Sequence, residues 1–301
     1  MSDTQMKNGK TLDDKSVLLV VEFRKLGNSR KVNMATVQVN ADKSMLHMNK
    51  NLFASPEYDA IKTHDGKTRQ WLYSRALPSL FKEGVFRVPN VMVVDVDNYL
   101  AMRARERAEL VDSFKRSYAM RVKEAKERLN GLFRERDYYT ADEAASKFGL
   151  TWSYVTFDTP DALKNLKAGL FEREREKIVK MVEEANEEIR SVLRLQLSEL
   201  VKRMITQLTP KSDGKRKKIY DSLTGNVDDF LSTFDARNIA DDDELQALVK
   251  KARGVLHNVD ADDLRNEDFV RITVKDGFDK INKQLDEMIV TKPARRFDFA
   301  E

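Results

Sequence analysis

Leu100-Ala-Met-Arg-Ala-Arg-Glu-Arg-Ala-Glu-Leu-Val-Asp-Ser-Phe114 is the stretch whose reading decides the fold. Leu100, Ala104, Ala108, Val111 and Phe114 recur at steps of three or four, and Tyr118, Val122, Ala125, Leu129 and Leu132 carry the stripe onward. That spacing lines one face of a helix with 3.6 residues per turn. No Pro interrupts the segment and its only glycine is Gly131, so the spacing predicts a helix over about Asn98–Arg136 with a near-heptad seam. The other positions are Arg, Lys and Glu, with Glu124 and Arg128 at the supportive i, i+4 separation. A second stripe runs Leu163, Leu166, Leu170, Ile178, Met181, Ala185, Ile189, Val192, Leu193, Leu200, Met204 and Leu208, and it stops before Pro210. It predicts a second long helix over Pro160–Leu208. Two such helices with a short connection between them pack well as an antiparallel hairpin.

Composition agrees. Charged residues make up 35% of the chain and hydrophobic residues 41%, the balance of helices that bury one stripe and solvate the rest. With 11 Gly and 6 Pro there are too few turn formers for a many-turned β protein. The fold class expected is mainly α, with a small N-terminal α+β module, a long helical hairpin and a C-terminal helical region. The absence of cysteine excludes a disulfide framework, a thiolate nucleophile and Cys-based zinc sites, and it fits a reducing cytoplasm. The polar opening MSDTQMKNGKTLDDK has no apolar core of a secretory signal. Val17–Val21 is far shorter than the roughly 20 residues that span a bilayer, so a soluble protein without a membrane span is expected.

Working outward to the N-terminus, residues 1–15 read as a disordered leader and 16–96 as the α+β module. Val17–Phe23 and Val32–Val39 flank the turn-rich Leu26-Gly-Asn-Ser-Arg30 and predict an antiparallel hairpin. Ser55-Pro56-Glu57 supplies a cap and a first-position proline for one short helix, and a second is expected after Asp65-Gly66, carrying Trp71, Leu72, Leu77 and Phe81. Val85–Val88 and Val91–Val94 read as two short strands around Pro89-Asn90. The hairpin is placed at 97–209 and a C-terminal helical region at 210–290, with helices near 218–234, 242–258 and 262–290. Residues 291–301 are expected to be an extended tail.

Signals of chemistry are sparse. His47, His64 and His257 form no metal-binding spacing and read as ordinary histidines. Asp95 and Asp97 could share a magnesium ion from one face of a strand, but the simpler reading makes Asp97 the cap of the long helix. Asp241–Glu244 reads as a cap and acidic first turn. No phosphate-binding glycine loop, dinucleotide fingerprint or nucleophile elbow occurs, so no catalytic residue, metal ligand or cofactor site is assigned. Net charge is +4, with residues 211–301 acidic in balance. The strongest electrostatic feature is the basic loop Lys211, Lys215, Arg216, Lys217 and Lys218, able to grip phosphates or an acidic partner. It lacks interleaved aromatics, and a solvated inter-helix loop explains it more simply. Arg295, Arg296, Phe297 and Phe299 in the tail could dock on a partner or pack back on their own chain.

Lys25-Leu-Gly27 with Arg30, Ala41-Asp-Lys43, Lys50, Ser55-Pro-Glu-Tyr58, Leu77-Pro78 and Phe86-Arg-Val-Pro89 carry a family resemblance over about residues 18–175. This stretch resembles an uncharacterised family of bacterial and phage proteins encoded beside MoxR-type AAA ATPases and von Willebrand A-domain proteins. The resemblance implies an adaptor role near an ATPase and a phage or mobile-element origin, and therefore the host cytoplasm; it implies no catalytic residues. The function expected is that of a non-enzymatic oligomeric interaction protein, because small residues such as Ala104, Ala108 and Ala125 permit close helix approach between copies. The alternatives are an oligomeric nucleic-acid-binding protein, using the basic loop and the Arg-rich start of the first long helix, and a metal-dependent enzyme at Asp95 and Asp97.

Overall fold

The computed structural model describes residues 12, 14–33, 37, 38, 40–79, 84–155 and 168–289, the side chains of residues 168 and 170 excepted. Most of the expected leader, Phe81, the opening of the second long helix from Pro160 through Leu166, and the tail with Arg295, Arg296, Phe297 and Phe299 lie outside the described residues. Within them the elements are β1 (Ser16–Arg24), β2 (Ser29–Lys31), β3 (Asn49–Asn51), α1 (Pro56–Arg75), β4 (Leu77–Pro78), β5 (Val85–Pro89) and α2 (Val93–Leu129). There follow α3 (Ala141–Ser146), β6 (Gly149–Val155), α4 (Ala168–Leu208), α5 (Asp221–Arg237), α6 (Asp243–Val255), α7 (Ala261–Asn266) and α8 (Asp268–Ile289). The chain is mainly helical with strands confined to its N-terminal half, as expected. The strands form one sheet in the order β4-β5-β1-β6 and a separate pair β2-β3.

The chain divides into two compact units. One comprises Val20–Tyr73 and Val94–Ser153 and is called here the α1/α2 unit; the other comprises Met1–Leu19, Ser74–Val93 and Tyr154–Glu301 and is called the α4/α8 unit. The two longest helices therefore fall in different units.

In the α1/α2 unit the core is aromatic. Phe53, Tyr58, Phe114 and Tyr118 cluster with Leu26, Leu52, Ile61, Ala125 and Ala144. The Phe53 ring lies 5.5 Å from Phe114 and meets Tyr58 edge-on at 5.4 Å, a preferred arrangement for ring quadrupoles. Their positions are set by local polar chemistry. Asn28 donates to the Phe53 carbonyl at 2.8 Å and accepts from its N–H at 3.0 Å, acting as a strand rung. Ser55 Oγ accepts from the Tyr58 N–H at 3.1 Å and caps α1, with Pro56 at the first helical position as expected. The Tyr58 hydroxyl donates to the Leu26 carbonyl at 2.6 Å.

Four local expectations are corrected here. The residues after the Gly27 break do enter an antiparallel pair, but Ser29–Lys31 pair with Asn49–Asn51, Arg30 opposite Lys50. The helix expected in two pieces runs unbroken through Gly66, because Ile61, His64, Asp65, Thr68 and Leu72 make a continuous buried face that overrides the weak helix preference of glycine. The strand expected at Val91–Val94 is instead a turn of 3-10 helix, Asn90–Met92, that leads into α2. Finally, α2 starts at Val93 and ends at Leu129, with short 3-10 turns beyond it, so Asp97 lies inside the helix and does not cap it.

The core of the α4/α8 unit is mainly aliphatic. Ile189, Leu193, Leu197, Val201, Met204 and Leu208 form a sealed stripe on α4, and Phe278, Ile281 and Leu285 of α8 share that core with Phe230 and Phe234 of α5 and Leu245, Leu248 and Val249 of α6. The antiparallel partner of α4 is α8. Near the start of α8, Arg271 donates to the Gln207 and Leu208 carbonyls at the end of α4, while Met288 near its other end lines a recess with Arg194. The helix expected at 262–290 is two, α7 and α8, separated at Glu267. In the small strand pair of this unit Leu77 lies opposite Arg87 and Pro78 opposite Phe86.

Candidate functional site

The most elaborate polar constellation belongs to the α1/α2 unit. On α2 the fully or nearly buried positions Leu100, Arg107 and Phe114 are seven residues apart, so an arginine occupies a heptad core position. Its guanidinium donates from Nε to Asp65 Oδ1 at 2.7 Å and from Nη2 to Asp65 Oδ2 at 3.0 Å. Nη2 also donates to the Arg24 carbonyl at 2.8 Å, and the Phe148 ring lies 5.7 Å away. Both partners are buried, Arg107 and Asp65 at 3% exposure each. Such a pair fixes the register of α1 against α2, because breaking one side strands a charge. The heptad seam was expected to pass through Ala108, which is exposed. Apolar periodicity had no means of choosing an arginine; the useful signal was Asp65 in an otherwise apolar helix face.

Beside this pair lies His64, 7% exposed. Its Nε2 is 3.3 Å from Glu106 Oε2, and its Nδ1 is 3.7 Å from Asp65 Oδ1, too long for a hydrogen bond. Arg103 donates to the His64 carbonyl at 3.0 Å, to Thr68 Oγ1 at 2.9 Å and to Glu106. Burial, with Arg103 adding to it, holds the imidazole below its ordinary pKa against the pull of Glu106 and Asp65. Every other group in the cluster has a packing partner, so the arrangement reads as a structural lock. Lys50, one of the residues carrying the family resemblance, is likewise structural: its ammonium holds the Leu132 carbonyl and Asp137 at 2.6 Å each.

The remaining candidates are dispersed. Asp97 accepts from the indole N–H of Trp152 at 2.8 Å, and among the described residues no group of three or more acidic or imidazole side chains is placed to hold a metal. Asp242 caps α6 as expected, accepting from the Leu245 N–H at 3.1 Å, and is clamped by Arg194 at 2.7 and 2.9 Å. In the α4/α8 unit Arg237 is 1% exposed. It donates to Gln196, lies 5.6 Å from the Phe230 ring, and is lowered to about 10 by burial and by Arg75, so it stays charged at neutral pH.

The basic loop is a folded turn. Its backbone closes between Lys211 and Lys215, with Gly214 at φ 77°, a left-handed conformation natural to glycine. Arg216 pairs with Asp268 and donates to the Arg265 carbonyl at 3.0 Å. Lys217 caps the end of α4 by donating to the Thr206 carbonyl at 2.8 Å, and Lys215 pairs with Asp213 at 3.4 Å. Lys218 sits 5.0 Å from the centre of the Tyr220 ring, which is 56% exposed. The structure therefore puts three of the five cations to work inside the fold and supplies an aromatic that sequence spacing did not count. The Arg216–Asp268 pair also joins this turn to the start of α8, where Phe269 and Ile272 stand out at 81% and 60% exposure. No helix among the described residues is long and apolar enough to cross a membrane.

Comparison of the chain with models of known families, with curated proteins and with solved structures finds no match in any of the three.

Proposed function

We propose that this chain is a non-enzymatic interaction protein that self-associates and offers a mixed apolar and basic face to a larger assembly. The carrying observation is the first turn of α8. Phe269 and Ile272 lie three residues apart on the outer side of a helix whose other side, Val274, Phe278, Ile281 and Leu285, is sealed in the core. Large apolar groups held in water beside a cationic turn suit a contact surface, where aromatic and arginine side chains are enriched. A fitting partner offers apolar pockets rimmed by carboxylates. The resemblance of residues 18–175 supplies the partner class, a MoxR-type AAA ATPase.

Light scattering at micromolar concentration tests self-association. The wild-type chain is expected to assemble and the Phe269→Ser/Ile272→Ser variant to lose mass while keeping its helical circular dichroism. A strictly monomeric wild type rejects the assembly reading.

A second reading, a nucleic-acid-binding protein, is favoured by Tyr220 beside Lys218. An exposed ring within a cationic turn is what base stacking with phosphate contact requires. Fluorescence anisotropy with labelled single-stranded DNA and RNA over a salt series decides it. Binding that falls steeply with salt and weakens in Tyr220→Ala supports this reading, and absence of binding at low salt removes it.

A further inference from the structure

A recess of about 480 Å³ opens between α4, α6 and α8, lined by Arg194, Glu244, Ala247, Leu248, Gln284, Glu287 and Met288 together with Lys251. Its floor is apolar, with Leu248 4% exposed, and its rim is charged. The rim cations are engaged: Arg194 by Asp242 and Glu244, and Lys251 by Gln284 at 2.8 Å. The carboxylates are less so. Glu244 meets Arg194 at 3.2 Å while remaining 74% exposed, and Glu287 enters no ion pair among the described residues. What this recess would take is a segment with one or two apolar side chains and a neighbouring cation.

We propose that the occupant is the chain's own C-terminal segment, Arg295-Arg-Phe-Asp-Phe299. Three observations favour it. The described chain ends at Ile289, one residue beyond Met288 of the recess lining, so the segment is tethered at the mouth of its own site. Six residues separate Ile289 from Arg295, a maximum reach of about 20 Å, sufficient to turn back at Pro293 and lie over the groove. In an extended strand Arg295, Phe297 and Phe299 share one face. That face has the sequence the recess calls for, a cation for Glu287 and two rings for Ala247, Leu248 and Met288. A short tether raises the local concentration to the millimolar range, so even a weak contact is occupied. The inference is independent of the face at the start of α8.

The chain has no cysteine, which makes crosslinking a clean test. Ala247 is exposed on the recess wall, so Ala247→Cys leaves the core intact. In full-length protein carrying Ala247→Cys and Phe299→Cys, mild oxidation is expected to give an intramolecular disulfide on the order of tenfold faster than in an Ile272→Cys/Phe299→Cys control. Adding Glu287→Arg should slow it and adding Arg295→Glu as well should restore it. Equal rates in the test and control pairs overturn the docking, and crosslinked dimers in place of crosslinked monomers overturn docking in cis and assign the recess to a second copy's tail.

Discussion

The two units use the same residue, arginine, to opposite ends. In the α1/α2 unit Arg107 is a core residue, buried against Asp65 at a heptad position between Leu100 and Phe114. In the α4/α8 unit Arg271, 5% exposed, serves the backbone: it donates to the carbonyls of Gln207 and Leu208 and so closes the open end of α4. Arg190 and Arg253 act similarly, on the Ala240 and Leu231 carbonyls. One arrangement depends on a compensating charge, the other on helix-end geometry, where four carbonyls lack intrahelical partners. The contrast teaches that a buried arginine is either a register pin or a cap, according to whether a carboxylate or a helix end faces it.

Both tryptophans, Trp71 and Trp152, belong to the α1/α2 unit, so their fluorescence follows that unit, whereas circular dichroism is weighted to α4 and α8. The largest effects expected come from each core's centre. Arg107→Ala leaves Asp65 buried and unpaired and should cost roughly 3–5 kcal/mol in the fluorescence-detected denaturant transition. The apolar replacement Arg107→Met with Asp65→Asn should recover most of it; if the double variant is no better than the single, the pin is not electrostatic. Phe278→Ala should cost about 3–5 kcal/mol through the cavity it opens, seen first by circular dichroism. An equal shift of the fluorescence transition would erase the distinction between the units. Arg271→Ala should cost about 1–3 kcal/mol, as helix-end carbonyls lose their donor. A negligible change in its unfolding midpoint would remove the capping role.

The smallest effects are those of pH. Glu57 is lowered to about 2 by its hydrogen bonds from Arg121 and Ser55. Its contribution is present in full above the ordinary carboxylate range and is lost as pH falls from about 4.5 to about 2. His64 is also lowered, chiefly by burial, so the folded chain prefers it neutral and the unfolded chain takes up the proton first. Stability of the α1/α2 unit should therefore be flat above the ordinary histidine pKa and decline as pH drops below it. Unfolding midpoints by fluorescence for wild type, Glu57→Gln and His64→Gln separate the two. A His64→Gln profile that matches wild type between pH 7 and 5 removes histidine from the account.

Much of the helical architecture was legible without coordinates. The stripes on α2, α4 and α8, the Ser55–Pro56 start of α1 and the Asp242 cap of α6 follow from periodicity and local hydrogen bonding, which act within a few residues. Pairing was not legible. Ser29–Lys31 and the earlier β1 are both plausible strands, and only the long-range partner Asn49–Asn51 decides how the former is used. Gly66 argues locally for a break, yet the buried face on either side of it carries α1 through.

The candidate surfaces divide in the same way. Charge spacing identified Lys211, Lys215, Arg216, Lys217 and Lys218, but whether those cations are free depends on Asp268 and the end of α4, both distant along the chain. Phe269 and Ile272 look in sequence like any apolar members of an amphipathic helix; α8 turns them outward because Val274 and Phe278 take the inward face. The sequence by itself determined that this would be a cysteine-free, charge-rich helical chain with two helices of exceptional length, since composition and apolar period are local properties. Tertiary structure alone decided that those helices belong to different units, that α4 packs along α8, and that an arginine fills the heptad seam of α2, because each outcome rests on a partner that no local pattern names.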